Sequence, residues 1–193
     1  MMHNLFLFIY RQPLHRILLW MLLLIFLWGY LGYRESGRLR WKLANGLVFV
    51  SAVAVIFYMT VHTRGETAGE AILIPFQSFR NARIQPELYR SMLMNVFLFV
   101  PVGMSLPFVI GKGRGAVLIT VLVALVFSGS VEYLQYRYAL GWCEVDDIIM
   151  NTLGAATGGL AYVLSLNWEK RVAPKLDFLK DALRRMWSKI KIS

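Results

Sequence analysis

Three polar side chains share one helical face within an otherwise apolar stretch of the chain. Glu132 follows Ser128 by four residues and precedes Gln135 by three, and residues at such offsets lie above one another on an α-helix. A carboxylate inside a membrane-spanning helix is costly, so this pattern predicts a functional site that faces the interior of a helix bundle. The alternative is a structural carboxylate that pairs with an arginine and only holds helices together.

A second polar stripe begins with the adjacent carboxylates Asp146 and Asp147. The residues that follow on the same helical face are Asn151, Gly154 and Gly158. The carboxylates could act as general acid and base or hold a divalent cation through oxygen ligands. They could equally cap the N-terminus of a helix. The G-x-x-x-G spacing predicts close packing against a neighbouring helix.

Two more polar residues precede these stripes in the sequence. Asn95 lies one helical turn before Phe99, near the start of an apolar stretch. Arg64 lies in the long connection before that stretch, together with the apolar run at residues 72–76, which contains Pro75. We expect this run to re-enter or lie on a membrane surface. The alternative is a short packed loop.

These residues define one candidate site. The predicted ligand-binding residues are Arg64, Asn95, Glu132, Gln135, Asp147 and Asn151, and the candidates for catalysis are Glu132, Asp146 and Asp147. The sequence has no Ser-His-Asp order, no H-E-x-x-H motif and no phosphate-binding glycine loop. That pattern favours binding over catalysis and leaves an enzyme possible. No cofactor and no bound metal is predicted.

The elements that must position this site are membrane-spanning helices. Of the 193 residues, 58% are hydrophobic and 17% are charged, whereas a soluble domain has about half apolar and about a quarter charged residues. Crossing the hydrocarbon core takes about 20 mostly apolar residues. Five stretches qualify, at about residues 17–33, 43–61, 92–110, 115–138 and 147–166. The sequence thus predicts an all-α, polytopic transmembrane bundle, with a kink at Pro101 or Pro107 in the third span.

The distribution of basic residues predicts the orientation of these spans. The connections on one side, with the C-terminal tail, hold 14 Lys and Arg residues, and the other side holds 7. Cytoplasmic segments are the richer ones, so we expect a multi-pass protein of the cell membrane with its N-terminus outside and its C-terminus in the cytoplasm. The candidate site then lies toward the outer leaflet. The net charge of +10 reflects these cytoplasmic segments, and no nucleic-acid partner is predicted.

The two ends of the chain form separate units. Residues 1–16 are predicted to be an interfacial segment, residues 17–166 the transmembrane domain, and residues 167–193 a basic cytoplasmic tail. In the tail, Leu176, Leu179, Leu183, Trp187 and Ile190 recur at helical spacing. This spacing predicts an amphipathic helix on the cytoplasmic leaflet, or alternatively a helix that binds a partner.

The ordered set of motifs resembles the VanZ-like family of bacterial membrane proteins. The matching segments are residues 74–76 (IPF), 95–107 (NVFLFVPVGMSLP), 130–135 (SVEYLQ) and 141–154 (GWCEVDDIIMNTLG). Many relatives carry an arginine just before the acidic pair, where this chain has Gly141 and Trp142. A positive partner for the carboxylates would then come from Arg64 or Arg137.

The resemblance implies a protein of the cell envelope of Gram-positive-type bacteria. The family's namesake is associated with reduced sensitivity to glycopeptide antibiotics, especially those of the teicoplanin type. The first hypothesis is therefore an outer-facing site that binds an envelope lipid, a cell-wall precursor or a lipoglycopeptide. The second is a membrane-embedded enzyme that modifies such a lipid or precursor. Membrane lipids are expected partners in either case.

Overall fold

The computed structural model describes residues 9–62, 70–111, 113–175 and 178–180. The helices are α1 (Leu14–Arg34), α2 (Leu39–Phe57), α3 (Gln77–Asn81), α4 (Glu87–Ile110), α5 (Gly115–Arg137) and α6 (Val145–Asn167). π-Helical turns extend α2 over Tyr58–His62 and α6 over Trp168–Val172. Two short strands, β1 (Ala71–Ile72) and β2 (Cys143–Glu144), complete the described elements.

Among the described residues, five helices are long and apolar enough to cross a membrane, which confirms the predicted number of spans and the all-α architecture. α4 begins at Glu87 rather than near residue 92. The reason is that hydropathy marks only the apolar part of a helix. The amphipathic turn after Glu87 continues the same helix beyond that part.

The long helices pack around a central pair. α4 lies against α6 along most of its length, α2 packs on α4, α1 packs on α6, and α5 contacts both members of the pair. Large apolar side chains of α1, among them Leu22, Leu23 and Phe26, are exposed on its outer face. A bundle with such an outer surface suits a lipid environment rather than water.

Glycines bring the backbones of α4 and α6 into contact. A Cβ atom added at Gly154 or Gly158 would lie 2.2 Å from the carbonyl oxygen of Val96 or Val100, respectively. These distances are far below van der Waals contact, so only glycine fits at either position. The packing role predicted for the G-x-x-x-G pair is confirmed.

The two prolines of the third span lie inside one continuous helix. Pro101 and Pro107 are both within α4, and the Ser105 hydroxyl donates to the carbonyl of Pro101 at 2.7 Å. Proline removes backbone hydrogen bonds from a helix, and a serine hydroxyl can take part in the disturbed pattern. The kink itself stays a prediction.

A pair of strands ties the connection after α2 to the start of α6. β1 and β2 pair in parallel, with Ala71 opposite Cys143 and Ile72 opposite Glu144. The Cys143 amide extends the pairing by donating to the carbonyl of Glu70 at 2.9 Å. This contact crosses about 70 residues of sequence and was not among the sequence predictions.

Aromatic rings gather at both ends of the bundle. At one end, Trp168 packs edge-on against Phe26 and Tyr30, with ring centroids 5.1 and 5.7 Å apart. At the other end, Tyr138 and Trp142 are exposed. Amphipathic rings at these two levels match the aromatic belts that mark membrane interfaces.

Parts of the sequence predictions lie outside the described residues. These are most of the N-terminal interfacial segment and the end of the basic tail, at residues 1–8, 176–177 and 181–193. Neither prediction is tested.

The α4–α6 contact predicts that Gly154→Ala destabilises the protein. The added methyl group must push the two helices apart, and overpacking of this kind costs about 1–3 kcal/mol. Thermal unfolding of the purified protein in detergent measures the loss. Gly129→Ala is the matched control, because nothing lies within 4 Å of a Cβ added there in α5. Equal stability of the two variants would contradict the contact.

The predicted orientation can be tested with two introduced cysteines. Ser36 lies in the connection between α1 and α2, and Ile84, which is 85% exposed, lies between α3 and α4 at the other end of the bundle. In a Cys143→Ser background, a membrane-impermeant maleimide should label Ile84→Cys on intact cells. It should label Ser36→Cys only after permeabilisation. The reverse pattern would establish the opposite orientation.

Candidate functional site

Four of the predicted site residues lie where the end of α5 meets the start of α6. Glu132 and Gln135 come from the last turns of α5, and Asp146 and Asn151 come from the first turns of α6. All four side chains are buried and at most 5% exposed. They form a deep polar layer, which is the name used below for these four residues.

The Asp146 side chain binds backbone amides of the connection between α2 and α4. Its two carboxylate oxygens accept hydrogen bonds from the amides of Phe76 at 2.6 Å and of Ser78 at 2.8 Å. These amides belong to the start of α3, whose end would otherwise carry unpaired N–H groups. The carboxylate therefore caps α3. The sequence also predicted, as an alternative to a chemical role, that Asp146 and Asp147 cap a helix N-terminus. Asp146 caps α3, and no side-chain cap is seen at the start of α6, the helix that contains both residues.

The Asp146 carboxylate also stabilises an unfavourable backbone conformation at Phe76. Phe76 has a φ of 61°, in the left-handed region, which costs a non-glycine residue about 1–3 kcal/mol. Charge-assisted bonds to the carboxylate offset a cost of that size. The apolar side chains of Leu73, Ile74 and Phe76 are consequently held in place while they remain exposed.

Glu132 anchors β2, the strand that pairs with β1 of this connection. Its Oε2 atom accepts a hydrogen bond from the Glu144 amide at 2.9 Å. The Glu144 carboxylate in turn accepts from the Ser78 hydroxyl at 2.9 Å. Through these bonds α5, β2 and α3 are joined into one hydrogen-bonded unit.

Asn95 and Asp147 form the accessible edge of the site. The Asn95 amide group donates to the Asp147 carboxylate at 2.6 Å, joining α4 to α6. Both side chains are only partly buried, unlike the deep polar layer.

The two amide side chains of the deep polar layer keep oxygen atoms for further partners. Gln135 donates to the Thr60 carbonyl at 2.8 Å, at the end of α2, and Asn151 donates to the Ser128 hydroxyl at 2.9 Å. Within the described part of the chain, Gln135 Oε1 and Asn151 Oδ1 are buried without a hydrogen-bond partner. An unpaired buried acceptor costs about 1–3 kcal/mol, so both atoms favour a bound group that donates hydrogen bonds.

Cys143 lies among the carboxylates of the site. Burial raises the pKa of its thiol, and the negative charges of Glu132, Asp147 and Glu144 raise that pKa further. A smaller fraction of the thiol is therefore ionised than in a free cysteine, so it is a poor nucleophile. Cys143, Glu144 and Ser78 are site residues that were not predicted from the sequence, because each lacks a helical-face pattern with the other polar residues.

The carboxylates of the site could be neutralised by an arginine or by a metal ion, and the described residues show neither. Arg64 lies outside them. Arg137 is exposed, its guanidinium carbon lies 5.8 Å from the ring centroid of Tyr138, and no ion pair between described residues joins it to Glu132. In the same part of the chain, no group of three or more His, Cys, Asp and Glu side chains is arranged to hold a metal ion.

Comparison with known proteins places this geometry in context. The family model described as VanZ/LLP1 matches residues 16–166. A stretch of 77 residues is 32% identical to Protein VanZ of Enterococcus faecium and covers 40% of this chain and 47% of that protein. The match thus spans about half the length of that relative. No solved structure matches this chain.

The cap on α3 predicts that Asp146→Asn loosens the connection before α4. Asparagine offers one neutral acceptor and a competing N–H donor in place of two charged acceptors, and the loss should be about 1.5–3 kcal/mol. Hydrogen exchange measured on a peptide covering residues 70–80 should speed up. Glu87→Gln removes an exposed carboxylate at the start of α4 and should leave this exchange unchanged. Slow exchange in Asp146→Asn would refute the capping role.

Proposed function

This chain belongs to the VanZ/LLP1 family, and we propose that it is a membrane protein of the bacterial cell envelope that binds an amphipathic envelope molecule at its polar end. The observation that carries the proposal is the partly exposed Asn95–Asp147 pair. The pair lies over a deep polar layer of fixed geometry. In the orientation predicted from the basic residues, this end faces the outside of the cell.

The accessible edge offers the groups that recognise hydroxyl and amide groups. Asp147 supplies a carboxylate acceptor, and Asn95 supplies both an amide donor and an acceptor. Behind them, Gln135 and Asn151 each keep a buried oxygen atom without a partner among the described residues. Sugars and peptides carry many hydrogen-bond donors, so both are suitable ligands for this set.

Next to the polar edge lies an apolar surface of the kind that a lipid part would need. Leu73, Ile74 and Phe76 are between 56% and 68% exposed. Their segment is bound to Asp146 through the Phe76 amide, so it keeps its position beside the polar residues. A ligand with a polar head and an apolar chain satisfies both surfaces together.

These features support three ligand classes with one chemistry: an envelope lipid, a lipid-linked cell-wall precursor, and a lipoglycopeptide. Arg64 is proposed to meet an anionic group of the ligand. Since the matched relative is named Protein VanZ, we further propose that the chain lowers susceptibility to teicoplanin by binding at this site.

The engagement of the buried carboxylates favours binding over catalysis. A general acid or base must reach the proton that it transfers. Asp146 already accepts two backbone hydrogen bonds and Glu132 accepts one, and both side chains are buried. Asp146 positions the connection before α4 and Glu132 positions β2, whereas the Asp147 side chain is only partly buried.

The proposal predicts that Asp147→Asn weakens ligand binding by roughly 10- to 150-fold, because a charge-assisted hydrogen bond contributes about 1.5–3 kcal/mol. Binding of labelled teicoplanin, of a lipid-linked wall precursor and of phosphatidylglycerol to the detergent-solubilised protein identifies the ligand class. Teicoplanin susceptibility of a host that expresses each variant should change in parallel. Glu87→Gln, with the same change in charge at an exposed position of the same end, is the control.

The same assay separates binding from catalysis. Each probe is recovered after incubation and its mass is measured. A changed mass that disappears with Glu132→Gln would establish an enzyme and contradict the proposal. Equal affinity of Asp147→Asn and the native protein for all three probes would refute the assigned site.

A further inference from the structure

A cavity lies at the end of the bundle opposite to the polar site. Its volume is about 550 Å³, and it opens between the α1–α2 connection, the end of α4 and the end of α6. The lining residues used below are Arg38, Trp41, Lys42, Phe108, Tyr162 and Glu169. None of them belongs to the candidate site described above.

One wall of this cavity presents hydrogen-bond donors and positive charge. α2 begins here at Leu39, and the preceding residue Arg38 provides no side-chain cap, so the positive end of the helix dipole lies at the cavity. Lys42 follows in the next turn and is exposed. Glu35 holds the Arg38 guanidinium at 2.9 Å and thereby fixes its position.

Trp41 adds a donor that the described residues leave unused. Its indole Nε1 atom is buried and has no hydrogen-bond partner in the described part of the chain. The tryptophan ring packs edge-on against Phe108 at a centroid distance of 5.6 Å, and Phe108 packs against Tyr162 at 4.9 Å. The cavity therefore joins a wall of donors to an aromatic floor.

From this arrangement we propose that the cavity binds the phosphate group of an anionic membrane phospholipid. The phosphate would accept from Lys42, the Trp41 indole and the start of α2, and the glycerol and upper acyl carbons would lie on the aromatic floor. Because Arg38 is paired with Glu35, Lys42 is the cation among these lining residues that is available to an anionic headgroup. A phospholipid supplies the phosphate and the apolar part together, whereas free phosphate supplies only the first.

Native mass spectrometry of the full chain in detergent tests this proposal with added phosphatidylglycerol, phosphatidylethanolamine, phosphatidylcholine and inorganic phosphate. We expect phosphatidylglycerol to be retained most strongly, and inorganic phosphate to compete with it only weakly. Preference for a zwitterionic lipid, or full displacement by inorganic phosphate at a concentration equal to that of the lipid, would overturn the proposal.

Variants locate the binding within the cavity. Lys42→Gln should weaken phosphatidylglycerol binding about tenfold, and Trp41→Phe should weaken it while keeping the aromatic packing. Arg34→Gln is the control, because Arg34 is exposed at the same end and does not line the cavity. The affinity of each variant is measured by quenching in titrations with spin-labelled phosphatidylglycerol at about 0.5 M salt. At this salt concentration charges are strongly screened, so a general attraction of the lipid to the basic surface is suppressed.

Glu169→Gln provides a gain in affinity that misfolding cannot imitate. Removing the one carboxylate among the six lining residues named here should tighten phosphatidylglycerol binding severalfold. Equal losses in Lys42→Gln and Arg34→Gln, or weaker binding in Glu169→Gln, would show that the cavity is not the site.

Discussion

The backbones of α4 and α6 touch at Gly154 and Gly158, and the position of the polar end follows from that contact. With no side chain between them, the two helices are close enough for Asn95 on one to donate to Asp147 on the other. In a membrane, helix association relies on such close packing and on interhelical hydrogen bonds, because burial of apolar surface gains little there. α5 then packs beside this pair and carries Glu132 and Gln135 to the same place.

Carboxylates at this end divide into two kinds by what they contact. Glu132 and Asp146 accept backbone amides and are buried, so Asp146 fixes the chain between α2 and α4, and Glu132 fixes β2 between α5 and α6. Asp147 accepts a side-chain amide and stays partly exposed. Asp146 and Asp147 are adjacent but have different roles. The helical rotation between them turns Asp146 toward the connection and Asp147 toward the edge of the site.

Much of this architecture could be predicted from the sequence, because the signals involved are local. Long apolar runs give the spans, and offsets of three and four residues give the faces that carry Glu132, Gln135 and Asn151. The partners of Asp146 could not be predicted, because Phe76 and Ser78 are 70 and 68 residues away. The left-handed conformation of Phe76 has no sequence signal either, since glycine or asparagine is the usual choice at such a position. Helix ends were misplaced where a helix extends past its apolar part.

The pairing of β1 with β2 also determines when the polar end can assemble during synthesis. β1 and the connection that follows it leave the ribosome well before Asp146, and at roughly 5–20 residues per second the intervening 70 residues take about 4–14 s to synthesise. During that interval the Phe76 amide has no carboxylate to bind. The polar end therefore assembles only after the start of the last span has been delivered to the membrane, and a chain cut short before α6 retains four spans without a closed site.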